Sequence, residues 1–180
     1  MQVEITFFKQ VIRFSIAAAI VYCIPVYYYM KQMTYEESYI LYVGNFLFAS
    51  VIGVFIAWFY KQHERSIGTI RLVVIGGKAA VAGIAIACIL VTVMLFIFAP
   101  QVFTRASAEN AMLKGAPAQF AGKNLGFGQI LYINTVLGNM GASFFISLLI
   151  PFSVMKNIYP DEKRAKESPK NENPKKNYHL

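Results

Sequence analysis

Four apolar stretches, residues 11–30, 39–60, 72–99 and 130–155, occupy most of this 180-residue chain, and none contains an aspartate or a glutamate. A helix that crosses the hydrocarbon core of a bilayer needs ~20 such residues, because each adds only about 1.5 Å to a path of about 30 Å. Lipid offers no hydrogen bonds to an open backbone, so a segment of this kind must satisfy its own amides as a helix. The expected fold class is therefore all-α, a polytopic bundle of four transmembrane helices formed by residues 1–158. All nine acidic residues lie outside the stretches. Carboxylate proton relays and intramembrane aspartyl chemistry thus have no residues to work with, and the chain is not expected to be an enzyme.

Composition supports this class. Hydrophobic residues make up 57% of the chain and charged ones 14%, against a charged share of about 25% in soluble domains. The net charge of +8 raises the question of nucleic acid, but seven of the seventeen basic residues fall in the last 25 positions without interleaved aromatics to stack on bases. Membrane sidedness explains them better. Lys9, Arg13, Lys61, Arg65, Arg71 and six lysines and one arginine of the tail give twelve basic residues on one side of the spans, against Lys31, Arg105, Lys114 and Lys123 on the other. Basic loops stay in the cytoplasm, so both termini are expected there, in the inner membrane of a bacterium. Tyr27, Tyr28, Tyr29, Tyr35 and Tyr39 cluster at one set of span ends, and Trp58 with Tyr60 marks the other, as expected of rings that sit at headgroup level.

The first stretch has the basic entry of a secretion signal but no small-x-small cleavage pattern before Pro25, so it is read as an uncleaved helix, kinked or ended by that proline. Cys23 and Cys88 lie within spans and behave there as small, weakly polar packing residues.

Lipid gives little hydrophobic reward for helix association, so close approach over small residues must supply it. Four strips at four-residue spacing fit that role: Ser15 and Ala19; Ala49, Gly53 and Ala57; Ala79, Gly83 and Ala87; and Asn134, Gly138 and Ala142. Each can serve the internal packing of one bundle or a seam between copies. Polar residues also punctuate the spans, namely Asn45, Ser50, Thr92, Asn134, Thr135, Asn139, Ser143 and Ser147. Ideal helical geometry sets Asn134 and Asn139 about 140° apart, which points them to different partners. Lys78 is the one formal charge inside an apolar run. It either reaches back to the headgroups on its four-carbon stem or, with Gly76 and Gly77 beside it, forms an intramembrane polar site with Asn134 and Asn139.

Several chemical motifs fail on inspection. His63-Glu64 opens like a zinc-protease helix, but the position of the second histidine is Ile67, so no metal site is expected. Gly76-Gly77-Lys78 lacks the leading glycine and the following hydroxyl of a phosphate loop, since those positions are Leu72 and Ala79. Gly126-Phe127-Gly128 has no return segment for a potassium filter and is read as a glycine hinge. The 100–129 connection is long for a small bundle, and Ser107 to Lys114 fits a short amphipathic helix stopped by Gly115 and Pro117. The 159–180 tail is rich in Lys, Glu, Asn and Pro and is expected to stay unfolded.

Ser66-Ile67-Gly68 in a short basic loop, Gly77-Lys78-Ala79 opening the third span, and Asn134-Thr135 with Gly138 in the fourth form an arrangement that resembles a family of small four-span bacterial membrane proteins of unknown function. The resemblance covers residues 39–157 and implies location and fold, with no catalytic residues and no cofactor. Two functions remain open. One is a non-enzymatic accessory or scaffold protein that acts on a membrane-protein partner or a second copy through helix contacts and the long outer loop. The other is a small, oligomeric transporter or channel subunit built on Lys78 and the polar fourth span.

Overall fold

The computed structural model describes residues 2–32, 35–62, 68–103 and 124–156. Within them the chain forms α1 (Gln2–Gln32), a 3-10 turn, α2 (Tyr39–Gln62), α3 (Thr69–Phe98), a second 3-10 turn, α4 (Asn124–Ile133), a π-helical turn (Asn134–Gly138) and α5 (Asn139–Lys156). No strand occurs among the described residues. The last three elements run without a break as one rod, so the chain presents four helices of a length and composition able to cross a membrane.

The expected spans sit inside these helices, with two corrections. α1 begins at Gln2, well before residue 11, because nothing in Gln2–Gln10 breaks the helical hydrogen-bond ladder. The fourth rod begins at Asn124, so Gly126-Phe127-Gly128 is helical and no hinge exists there. Phe127 is fully buried and stacks on Tyr29 at 5.7 Å. That anchor, with Val102 against Gly128, offsets the roughly 1 kcal/mol that each glycine costs a helix. The Ser107 to Lys114 segment and the 159–180 tail lie outside the described residues.

Named contacts fix the packing. Tyr22 meets Phe48, and Phe14 meets Phe55 and Trp58, which sets α1 antiparallel to α2. The Ser15 hydroxyl donates to the Ala79 carbonyl at 2.8 Å and Tyr27 meets Phe98, which sets α1 parallel to α3. Asn45 meets Asn134 while Gly53 meets Ile146 and Ile150, so the fourth rod runs parallel to α2. The helices therefore alternate in direction, and the start of α1 and the end of α5 share one end of the bundle. Exposed Lys9, Arg13, Lys61 and Arg71 stand at that end.

Small residues make the seams. A Cβ at Gly83 would fall 2.8 Å from the Phe48 ring, one at Gly76 2.5 Å from Ile56 Cδ1, and one at Gly53 2.9 Å from Ile146 Cγ2. The perimeter is apolar instead, with Phe46, Val81, Met140 and Phe144 all at least 60% exposed. A soluble domain would not spread large apolar side chains so evenly over its surface, whereas lipid solvates them.

Candidate functional site

The polar side chains of the bundle converge on the π turn. A π turn closes its hydrogen bonds over five residues and widens the helix locally. It therefore brings Asn134 and Asn139, five apart, toward the same interior face, where an ideal α-helix would have separated them. Their separate partners are retained. Asn134 bonds to α1 and α2, and Asn139 Nδ2 donates to the Thr135 carbonyl at 2.9 Å.

Around Asn134 the network closes on itself. Asn45 Nδ2 donates to Asn134 Oδ1 at 2.9 Å, and Asn134 Nδ2 returns a bond to Asn45 Oδ1 at 3.3 Å. The second Asn134 amide proton goes to the Tyr22 hydroxyl at 3.1 Å. Thr135 has one hydroxyl proton, and it bonds the Leu131 carbonyl at 2.7 Å. The 3.0 Å contact between Tyr22 and Thr135 must therefore have Tyr22 as donor. Tyr22, Asn45, Asn134 and Thr135 thus join α1, α2 and the fourth rod through a ring of bonds that leaves none of their side-chain oxygens unpaired. Gly138 is required beside it, since a Cβ there would overlap the Asn45 amide. A second tie follows the same logic: Thr92 donates to its own helix at Cys88, so Tyr132 donates to Thr92 at 2.6 Å, joining the fourth rod to α3.

The next two turns of α5 differ. Asn139, Ser143 and Ser147 recur every four residues, are at most 2% exposed, and face α2 and α3. Yet Asn139 Oδ1, Ser143 Oγ and Ser147 Oγ find no hydrogen-bond partner among the described residues, nor does the buried Tyr60 hydroxyl. Buried polar atoms left unpaired typically cost about 1–3 kcal/mol each, so four on one side of a bundle mark a distinct region.

The sequence-expected residues separate accordingly. Ala49, Gly53, Ala79, Gly83 and Ala87 are buried in seams, while Ala57, Gly138 and Ala142 are half-buried. Lys78 does not join Asn134 and Asn139. It is exposed, on the outward stripe of α3 that also carries Arg71, Val74, Val81 and Ala85. Gly77 beside it faces open space. Tyr60, read as an interface marker beside Trp58, is buried instead, as is Tyr29 of the opposite cluster. Tyr22 was not singled out by its type, whereas Ser15 was expected to pack with Ala19. The available signal was spacing, because Ser15, Ala18, Ala19 and Tyr22 form one small-and-hydroxyl face of α1. No group of three or more His, Cys, Asp or Glu able to hold a metal occurs among the described residues. Comparison with protein-family models, curated proteins and solved structures finds no match.

Proposed function

We propose that this chain is a non-enzymatic scaffold or accessory protein of a bacterial cytoplasmic membrane, with both termini in the cytoplasm, acting on a membrane-protein partner or a second copy. The observation that carries the reading is the placement of its charge. Lys78 lies on the lipid-facing stripe about 14 Å along α3 from Thr69, within reach of the headgroups by its own stem, and so supplies no internal charged path. The closed ring at Tyr22, Asn45, Asn134 and Thr135 supports the same reading, because its polar groups are engaged in holding three helices together. The twelve-to-four basic asymmetry supports the sidedness. The resemblance to the four-span family adds the location and nothing about activity.

Two experiments test the reading. A sidedness reporter fused after Leu180 and another inserted beside Lys114 should give opposite answers, the first cytoplasmic; identical answers overturn the topology. The tagged protein purified from native membranes in mild detergent should retain a membrane partner or a second copy in fixed stoichiometry, and the purified chain reconstituted alone in vesicles should pass no ions or small solutes. Flux through the reconstituted chain contradicts the scaffold role and favours the transporter or channel subunit, a reading to which the unpaired oxygens of α5 lend support.

A further inference from the structure

The unpaired atoms of the α5 face form an ordered line. Asn139, Ser143 and Ser147 lie about 6 Å apart along the helix axis, set by four residues at 1.5 Å each. That interval is too long for a direct hydrogen bond of about 2.8 Å and fits one water molecule between successive oxygens. The line continues toward the basic end. Gly76 of α3 sets Ser147 and Ile56 at one level, since its Cβ would touch both Ser147 Oγ at 2.7 Å and Ile56 Cδ1 at 2.5 Å. Tyr60 is one turn beyond Ile56 on the same face of α2, and side chains on a helix lean toward its N-terminus, which carries the Tyr60 hydroxyl back toward Ser147.

Two of the groups in this line can only accept. Asn139 Oδ1 is one. The Ser147 carbonyl is the other: its helical donor would be the amide of residue 151, and Pro151, buried inside α5, has no N–H to give. An occupant must therefore donate protons, and it must be small, because α2, α3 and α5 meet here at Gly76, whose Cβ would touch both Ile56 and Ser147. The other end of the line is closed. Beyond the Asn45 and Asn134 pair the interior is Val26, Tyr29, Met30, Leu41, Phe127 and Leu131, all at most 2% exposed.

We propose that the interior face formed by Asn139, Ser143, Ser147 and Tyr60 is a hydration site: a single file of water molecules that enters at the basic end of the bundle and stops at the Asn45 and Asn134 pair. Water supplies two donors to each obligate acceptor neighbourhood and two acceptors to the serine and tyrosine hydroxyls, so every unpaired atom of the line gains a partner. The file gives the bundle a wet half and a dry half. It stands independently of the scaffold reading, since a blind file passes no solute.

Hydroxyl-radical footprinting of the wild-type chain in lipid nanodiscs tests it, because radicals made from bound water oxidise the aromatic rings beside that water. Tyr60, 5% exposed, should be oxidised several-fold faster than Phe55 and Phe48, which are fully buried on the same helix. Tyr60 protected to the level of Phe55 would overturn the proposal. Ser143→Val supplies a second reading: removing the hydroxyl and filling its volume should lower oxidation of Tyr22, at the blind end, and leave Tyr60 unchanged. An unchanged Tyr22 rate in a variant of wild-type melting temperature would show that no file connects the two ends. If Ser143→Val does not fold, the ratio of Tyr60 to Phe55 in the wild type decides alone.

Discussion

The ring at Tyr22, Asn45, Asn134 and Thr135 and the line at Asn139, Ser143, Ser147 and Tyr60 occupy the same interior, yet one has every side-chain oxygen paired and the other has none. The difference comes from how many helices contribute. The ring draws donors and acceptors from α1, α2 and the π turn, so complementary groups face one another. The line draws Asn139, Ser143 and Ser147 from α5 and only Tyr60 from another helix, and opposite Ser147 stand Gly76 and Ile56, which have no side-chain hydrogen bonds to give. Polar residues that face polar residues bind helices together in lipid, whereas polar residues that face glycine leave groups that call for water.

Gly53→Leu challenges the tight side of that contrast and should have the largest effect. Its first added carbon already lies 2.9 Å from Ile146 Cγ2, with Ile150 Cδ1 and Cγ1 within 3.7 Å, so the seam between α2 and α5 must open. Overpacking of this kind costs about 1–3 kcal/mol, read as a lower melting temperature in detergent. A wild-type melting temperature would place that face of α2 in lipid.

A paired comparison sharpens the contrast next. Tyr22→Phe keeps the ring against Phe48 but leaves an Asn134 amide proton without its acceptor, and should cost about 1 kcal/mol. Ser143→Ala removes an oxygen that bonds no protein group and should stay within about 0.5 kcal/mol of wild type. Equal losses in the two variants would erase the distinction between ring and line. Lys78→Arg is expected to have the smallest effect. Headgroups solvate either cation, so melting temperature and any deletion phenotype should match wild type; a complete loss of function with Arg would return Lys78 to the centre of the mechanism.

The four helices long and apolar enough to cross a membrane were legible because apolar length is set by bilayer thickness, and the seams at Gly53, Gly83 and Ala79 because small residues at four-residue spacing lie on one helical face. The angular relation of Asn134 to Asn139 was not legible. It depends on a π turn that the residue types do not announce and that the tertiary bonds of Asn134 and Thr135 accompany. Tyr60 was misplaced for a related reason: a tyrosine beside Trp58 at a span end suits the headgroup belt, but the azimuth that leaves Trp58 exposed turns Tyr60 inward. Lys78 showed the same dependence on azimuth. Its depth in sequence admitted an internal site, and its position on the stripe of Val74 and Val81 excludes it from the interior.

A pair of double-mutant cycles in one detergent tests the division of the interior most directly. Asn45→Ala and Asn134→Ala, singly and together, should reveal a coupling of about 1 kcal/mol from their reciprocal amide bonds, while Asn139→Ala with Ser143→Ala should show coupling below about 0.3 kcal/mol. Coupling of the second pair as strong as the first would mean that the α5 groups bond one another directly, and the account of one closed and one open polar region would fall.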